Sequence, residues 1–327
     1  MSLILGIEST AHTFGVAIVS NGRILSNIRK SYTTDKGGIV PMDSAKHHRV
    51  NRENVYLQAI EDSKINEEDI DAIAISQGPG LAPCLIVGME FAKQISIKLK
   101  KPIIPVNHCI AHLEIGRITG ARDPVMLYVS GANTQVIAYS SGKFRVFGET
   151  LDIGVGNFLD NFARYLGIGF PGGPKIERLA TKGNNYIELP YSVKGMDISL
   201  AGILTNLKQK VSSGKYAKEN LAYSAQETVF SMLVEVSERA MAHIGKKELL
   251  VGGGVACNKR LQEMCRIMCE ERGAKFFVPE NQFLVDNAGM IAYTGELMFK
   301  SGMSVVAIEK IDIKPRQRTD DVEVFWR

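Results

Sequence analysis

Short apolar runs separated by tight polar turns organise this chain from its first residues. Leu3-Ile4-Leu5-Gly6-Ile7 and Phe14-Gly15-Val16-Ala17-Ile18-Val19 have the length and β-branched content of buried strands. Ser20-Asn21-Gly22 predicts a hairpin into a third strand over 23–28, because Asn-Gly accepts the positive φ that such a turn demands. A loop carrying Gly37-Gly38 and Pro41 follows, then a polar helix over about 44–62. Asp71-Ala72-Ile73-Ala74-Ile75-Ser76 reads as a strand and Gln77-Gly78-Pro79-Gly80 as a loop. Leu85, Met89, Ala92, Ile95 and Leu99 then recur at helical spacing until Pro102 stops the helix. A strand over 103–106 closes this half.

Residues 125–147 repeat the opening pattern. Val125-Met126-Leu127-Tyr128-Val129 is apolar, Ser130-Gly131-Ala132-Asn133-Thr134 is a turn, 135–139 is a second strand, and Ser140-Ser141-Gly142 is a hairpin into a third. The two three-strand units start about 120 residues apart, and internal duplication is the economical explanation. Helical stretches are predicted to fill 156–244. A buried strand over 248–251 then ends in Gly252-Gly253-Gly254, followed by a helix over 258–272, a strand over 275–278 and a last helix over 287–300. The expected class is α/β, with a duplicated β-β-β-α-β-α-β core in two lobes that face a cleft. This resembles the actin, sugar-kinase and heat-shock-ATPase (ASKHA) superfold. The predicted division is a first lobe over 1–122 carrying a histidine insertion, a second over 123–300 carrying nucleotide-binding elements, and a segment 301–327 packing back on the first. In that superfold, phosphates lie against the two first turns and adenine against a late Gly-rich junction. Here those elements are 8–13, 130–134 and 252–258.

Composition narrows the setting. The 327 residues are 45% hydrophobic and 23% charged, an ordinary globular balance. No apolar run approaches the roughly 20 residues that span a bilayer, and no basic leader precedes the first strand. No membrane association is expected, and a cytoplasmic protein is the default. The five cysteines include no C-x-x-C pair, so neither a disulfide framework nor a thiolate zinc site is indicated, and Cys265 and Cys269 read as core residues. A net charge of +4 permits an RNA or nucleotide partner without demanding one.

The candidate chemistry begins at Val106-Asn107-His108-Cys109-Ile110-Ala111-His112. On a helix, His108 and His112 share one face a turn apart, which suits two ligands of one metal ion. The competing reading is an exposed polar face. Asp286 stands at an expected helix N-cap, and from the second lobe it is placed to complete the same site. In Ser130-Gly131-Ala132-Asn133-Thr134, Gly131 lets backbone N–H groups approach an anion. Gly252-Gly253-Gly254 suits a flat ligand on bare backbone, with the Asn258 amide reading an adenine edge; close helix–strand packing is the alternative. Pro174 fits a first helical position, Gly173 opens the backbone beside it, and Glu177 or Asp160 is placed to accept ribose hydroxyls, against a plain surface role. The cluster Lys46-His47-His48-Arg49 reads as a solvated helix face, with RNA contact as the alternative.

Taken together these residues resemble the universal tRNA threonylcarbamoyladenosine transferases, the family of TsaD and the KEOPS catalytic subunit, once labelled glycoproteases. The resemblance rests on Gly6-Ile7-Glu8-Ser9-Thr10-Ala11-His12-Thr13, Gly37-Gly38, His47-His48, Gln77-Gly78-Pro79-Gly80, Asn107-His108 with His112, and the stretches 128–135, 170–177, 251–258 and 286–290. The ending over 316–324 is similar to the archaeal branch. The resemblance implies transfer of a threonylcarbamoyl group from its adenylate to N6 of the adenosine beside the anticodon, in tRNAs reading codons that begin with A. It implies one divalent metal ion, Fe2+ favoured over Zn2+ or Mg2+, on His108, His112, Asp286 and Tyr128. Contacts to ATP, AMP or threonylcarbamoyl-AMP are implied at Tyr128, Val129, Ser130, Gly131, Ala132, Asn133, Asp160, Gly173, Glu177, Gly253 and Asn258. Where this chain has Ala132, the family usually has glycine, so a methyl group stands at the phosphate turn. His12, by its place in the first turn, is the candidate general base. The implied partners are tRNA, a small atypical protein kinase, separate or fused C-terminally, and the other KEOPS subunits. Two rivals remain. A two-lobed ATPase or small-molecule kinase calls for magnesium and an acid in place of the histidine–tyrosine site. A metalloprotease calls for H-E-x-x-H, but Cys109 follows His108.

Overall fold

The computed structural model describes residues 2–34, 39–302 and 307–327. Gly37-Gly38 lies outside the described residues. The first sheet comprises β1 (Leu3–Glu8), β2 (Thr13–Ser20), β3 (Arg23–Ser31), β4 (Ala72–Gly78) and β5 (Ile103–Asn107), with α1 (Pro41–Ser63) and α2 (Ala82–Leu99) in the connections. Its order is β3-β2-β1-β4-β5. The first three strands form an antiparallel meander, and β4 and β5 run parallel to β1. Helix α3 (His108–Ile115) follows β5 directly.

The second half repeats this plan. Strands β6 (Val125–Val129), β7 (Thr134–Ser140) and β8 (Lys143–Glu149) form the meander. Then come α4 (Val155–Tyr165), α5 (Gly172–Ala180), the short pair β9 (Val193–Lys194) and β10 (Asp197–Ile198), α6 (Ala201–Ser212) and α7 (Lys218–Ile244). β11 (Glu248–Gly252), α8 (Lys259–Glu271) and β12 (Lys275–Phe277) complete the lobe. The sheet order β12-β11-β6-β7-β8 has the same sense as the first, so the duplication expected from the sequence is present. One local feature differs: the stretch predicted as helical throughout contains the β9–β10 hairpin, which Gly195 turns at φ +65°. Among the described residues, no helix is long and apolar enough to cross a membrane.

The boundary at 300 needs correction. After α9 (Asn281–Leu284), the last helix α10 (Ala288–Lys300) leaves the second lobe and packs on the first sheet. Its Met290, Ile291 and Ala292 pack with Ile4, Ala17, Val19, Ala72 and Ala74, on the sheet face opposite α1 and α2. Gly6 permits the approach: a Cβ there would lie 2.6 Å from the Ala288 oxygen and the Ala292 nitrogen. Small residues on that face make it the close-packing partner for the apolar side of α10. The segment 301–327 likewise exceeds its expected role. Ile311 enters the first-lobe core, and Lys314 N–H donates to the Gln77 carbonyl at 2.8 Å. Beyond Thr319 the chain crosses to the second lobe, where Val322, Val324 and Trp326 pack near Ile137 and Phe144. Glu114 of α3, fully buried, accepts from Trp326 Nε1 and Arg327 Nε, each at 2.9 Å. The tail therefore ties both lobes to α3.

Candidate metal centre

Helix α3 is capped by Asn107, whose Oδ1 accepts from Ile110 N–H at 3.1 Å. His108 is thus the first helical residue, and His112 lies one turn later. They are not on an exposed face: their exposures are 6% and 2%. Their ring centroids are 4.8 Å apart. The carboxylate of Asp286 closes the group, with Oδ1 3.4 Å from His108 Nε2 and 3.5 Å from His112 Nε2. Donor atoms of these three residues all lie within 4.8 Å of one another. Tyr128, next to last in β6 on the second lobe, lies with its ring centroid 5.1 Å from that of His112, tilted by 39°.

Asp286 does not cap the last helix. Asn287 does, accepting from Met290 N–H at 3.0 Å. That division of labour frees the Asp286 carboxylate to face the imidazoles. Glu8, at the end of β1, supplies a support to which the sequence pattern assigns no role. Its Oε2 lies 3.0 Å from His108 Nδ1, and its Oε1 accepts Thr10 N–H at 2.7 Å. A carboxylate on the far ring nitrogen fixes the tautomer and orientation of a ligating histidine. The only sequence signal for it is an acid ending a buried strand; its partner is 100 residues away.

The electrostatics follow from burial opposed by charge. Burial by itself lowers the His108 pKa, but Glu8 and Asp286 overcome it and hold the imidazole well above its ordinary value. Burial lowers that of His112, with Asp286 opposing. Burial pushes Asp286 up, yet His108 and His112 hold it well below the usual carboxylate range. Tyr128 is raised by burial, with Cys109 and Asp286 adding. Among the described residues, both ring nitrogens of His112 are buried without a hydrogen-bond partner. Two imidazole nitrogens and a carboxylate oxygen form a donor set that a divalent ion satisfies, and the orphaned His112 is the group that such an ion relieves.

The elements expected to bind nucleotide are each held by local contacts. The second-lobe turn is held by Ser130 N–H to the Asn133 carbonyl at 2.8 Å and by Asn133 N–H to Ser130 Oγ at 3.1 Å. Gly131 and Ala132 are exposed at its tip. Ala132 does not take a positive φ, so its methyl group brings no backbone strain. Val129 buries its side chain in the second core, leaving only its backbone to the turn. Gly253, at φ +90°, is required by close packing: a Cβ there would run into the Val129 carbonyl. Gly254 and Gly173 are more open, each with its nearest neighbour at 3.9 Å.

Three polar side chains hydrogen-bond within the protein. Asn258 caps α8 through Arg260 and Leu261 N–H and donates one amide hydrogen to Gln226 Oε1 at 3.0 Å. Asp160 accepts Gly172 N–H at 2.6 Å, and burial raises its pKa. Glu177 accepts Lys259 N–H at 2.8 Å, joining α5 to α8. In the first turn, His12 keeps over a third of its side chain exposed, and its Nδ1 lies 4.0 Å from Asp286 Oδ2. His48, read in the sequence as part of a solvated face, is fully buried, with Nε2 3.1 Å from the Ala11 carbonyl. Ser44 donates to the same carbonyl at 2.7 Å, so α1 clamps the first turn.

Known proteins fit this arrangement. Residues 23–293 match the family described as TsaD, tRNA N6-adenosine threonylcarbamoyltransferase. A protein of that name from Thermococcus kodakarensis is 56% identical over 322 residues, covering 98% of this chain and 99% of the relative. One from Xenopus laevis is 50% identical and covered along its whole length. A probable bifunctional tRNA threonylcarbamoyladenosine biosynthesis protein from Methanosarcina mazei is 51% identical, and this chain spans 60% of it. Among solved structures, T. kodakarensis HypF aligns with TM-score 0.67 at 15% identity, over 91% of this chain and 48% of that one. An activator of 2-hydroxyisocaproyl-CoA dehydratase from Clostridium difficile, with bound ADPNP, aligns with TM-score 0.54 at 12% identity, over 94% and 100%. These last two likenesses concern the two-lobed fold alone. With a match over most of its length and relatives at least half identical, the chain belongs to the tRNA N6-adenosine threonylcarbamoyltransferase family.

Proposed function

We propose that the chain transfers a threonylcarbamoyl group from threonylcarbamoyl-AMP to N6 of the adenosine beside the anticodon, in tRNAs reading codons that begin with A. The observation that carries this reading is the His108–His112–Asp286 group, with both imidazoles buried and neither ring nitrogen of His112 in a hydrogen bond among the described residues. His108, His112 and Asp286 would hold one divalent ion, with Tyr128 as the fourth ligand. Nitrogen and phenolate donors favour Fe2+ or Zn2+ over Mg2+, which prefers oxygen-only shells. When bound, the ion supplies Lewis-acid polarisation.

The remaining work falls to the chain itself. The N–H groups of Gly131 and Ala132, at the exposed tip of the second-lobe turn, hold the phosphate and receive the charge that develops on the departing AMP. Gly253 and Gly254 offer backbone to the adenine, while Gly173 and the free oxygens of Asp160 and Glu177 border the ribose. The amine nitrogen attacks the carbamoyl carbon, the bond from that carbon to the phosphate oxygen breaks, and the amine proton passes to His12. Asp286 Oδ2 lies 4.0 Å from His12 Nδ1. A small protein kinase and further subunits are the proposed partners; the bifunctional name of the longer Methanosarcina relative supports this.

The test is transfer to tRNA by the chain alone and with those partners, alongside metal analysis. His108→Ala and Asp286→Ala should lose both the ion and the transfer. Full activity in both variants, or ATP turnover with no tRNA modified, overturns the proposal.

A further inference from the structure

Part of the second lobe gathers cations that form no ion pair among the described residues. Residues 161–218 contain nine lysines and arginines against three acids, a net +6 in a chain whose total is +4. Elsewhere on this lobe, Arg239, Arg260 and Arg272 each sit in an ion pair with a glutamate. Among the described residues, Arg164, Lys208, Lys210 and Lys215 have no carboxylate partner within ion-pair distance. Arg164 lies at the C-terminal end of α4, Lys208 and Lys210 on opposite flanks of the C-terminal part of α6, and Lys215 in the loop to α7.

Two exposed aromatic rings lie among them. Lys208 Nζ sits 4.3 Å from the ring centroid of Tyr165, and Lys210 Nζ 5.1 Å from that of Tyr216. The rings are 50% and 39% exposed. Uncompensated charge repels itself and favours a polyanion. Aromatic faces interleaved with cations suit unstacked bases threaded on a phosphate backbone.

The location relative to the cleft is defined. Helix α4 starts at the phosphate turn, where Gly156 N–H donates to the Ser130 carbonyl at 3.0 Å and Asn157 N–H to the Gly131 carbonyl at 2.9 Å. It spans 11 residues, so Tyr165 lies about 15 Å from that turn along the helix axis.

We propose that Arg164, Tyr165, Lys208, Lys210, Lys215 and Tyr216 form a binding face for a single-stranded stretch of the tRNA, phosphates against the lysines and a base on Tyr165. This rests on the reading of tRNA as the substrate. The face would hold the loop that presents its adenosine to the cleft.

The experiment measures the affinity of the purified chain for fluorescently labelled tRNA across a salt series. The Lys208→Glu, Lys215→Glu double variant should bind at least tenfold more weakly. Its slope of log affinity against log salt should flatten by about 0.7 for each phosphate that the variant leaves unneutralised. Tyr165→Ala should lose roughly 5- to 150-fold, with the salt slope unchanged. Circular dichroism and metal content should match wild type in both. The proposal is overturned if both variants bind tRNA as wild type does, if wild type shows no tRNA affinity at 50 mM salt, or if duplex DNA loses affinity equally. Transfer is followed in parallel, with partners added. An inactive wild type whose tRNA affinity still falls in both variants sinks the transferase reading and leaves the face standing. An active wild type with unmoved affinities in the variants does the reverse.

Discussion

Glu8→Gln is the sharpest probe of the centre because it changes one atom and no volume. Glu8 is fully buried and serves three donors: Oε2 faces His108 Nδ1 at 3.0 Å, and Oε1 accepts both Thr10 N–H at 2.7 Å and the Thr10 hydroxyl. A glutamine has one oxygen for the Thr10 side and the imidazole. Either Thr10 keeps its acceptor and an amide N–H meets the imidazole, or the reverse. One buried charge-assisted hydrogen bond is therefore removed, worth about 1.5–3 kcal/mol. Loss of such a support behind a ligating histidine typically weakens metal binding by about 10- to 100-fold, or about 1.4–2.8 kcal/mol. A second effect has the opposite sign. Glu8 helps hold the His108 pKa well above its ordinary value, so in wild type a proton competes with the ion. The substitution relieves part of that competition near neutral pH, so the affinity loss should be larger at pH 9 than at pH 7. Competition titration of Fe2+ or Zn2+ against a chelator at both pH values measures it. An affinity within twofold of wild type at pH 9, in a variant that melts normally, refutes a supporting role for Glu8.

The metal-free protein should have a stability window set by the same groups. The raised His108 pKa stabilises fully below the ordinary imidazole value of about 6.5, and that contribution is lost as pH rises through the folded value. Asp286, depressed, stabilises above the ordinary carboxylate range and loses this as pH falls through its folded value, while His112, lowered by burial, subtracts stability below about 6.5. Melting curves with chelator should therefore decline on the alkaline side, and saturating metal should remove that decline; identical profiles with and without metal contradict this. Gly253→Ala, at φ +90° and facing the Val129 carbonyl, should cost about 1–3 kcal/mol. Gly254→Ala should fold normally and weaken nucleotide binding, read by calorimetry; unchanged affinity would remove the adenine from that junction. Arg327→Met strips a guanidinium from the buried Glu114 carboxylate and should cost about 3 kcal/mol, seen as a drop in denaturation midpoint; a midpoint equal to wild type's speaks against the clasp.

Much of this protein is legible along the chain. Both three-strand meanders, their Asn-Gly and Ser-Gly turns and the two later strand–helix pairs follow from local periodicity and turn chemistry, which act within a dozen residues. The histidine pair is legible for the same reason, since helical spacing alone puts His108 and His112 one turn apart. Local rules fail where two neighbours are equally suited to one task. Asp286 and Asn287 are both good caps, and nothing nearby says that Asn287 takes the helix while Asp286 turns to the imidazoles. They fail again for His48, whose ring is spent on internal packing rather than on solvent.

What the sequence by itself determined is the set of parts: two copies of one sheet plan, two glycine-bearing turns and a helix that pairs two imidazoles. Only the tertiary structure decided how they are joined. It placed α10 on the first sheet because small residues there accept a close helix, and it brought Glu8 to His108 across 100 residues. It also ran the tail from the first core to Glu114 and the second lobe. Periodicity records which side of an element is buried; it does not record what that side is buried against, because packing partners are chosen by shape and charge between segments that share no neighbourhood in the chain.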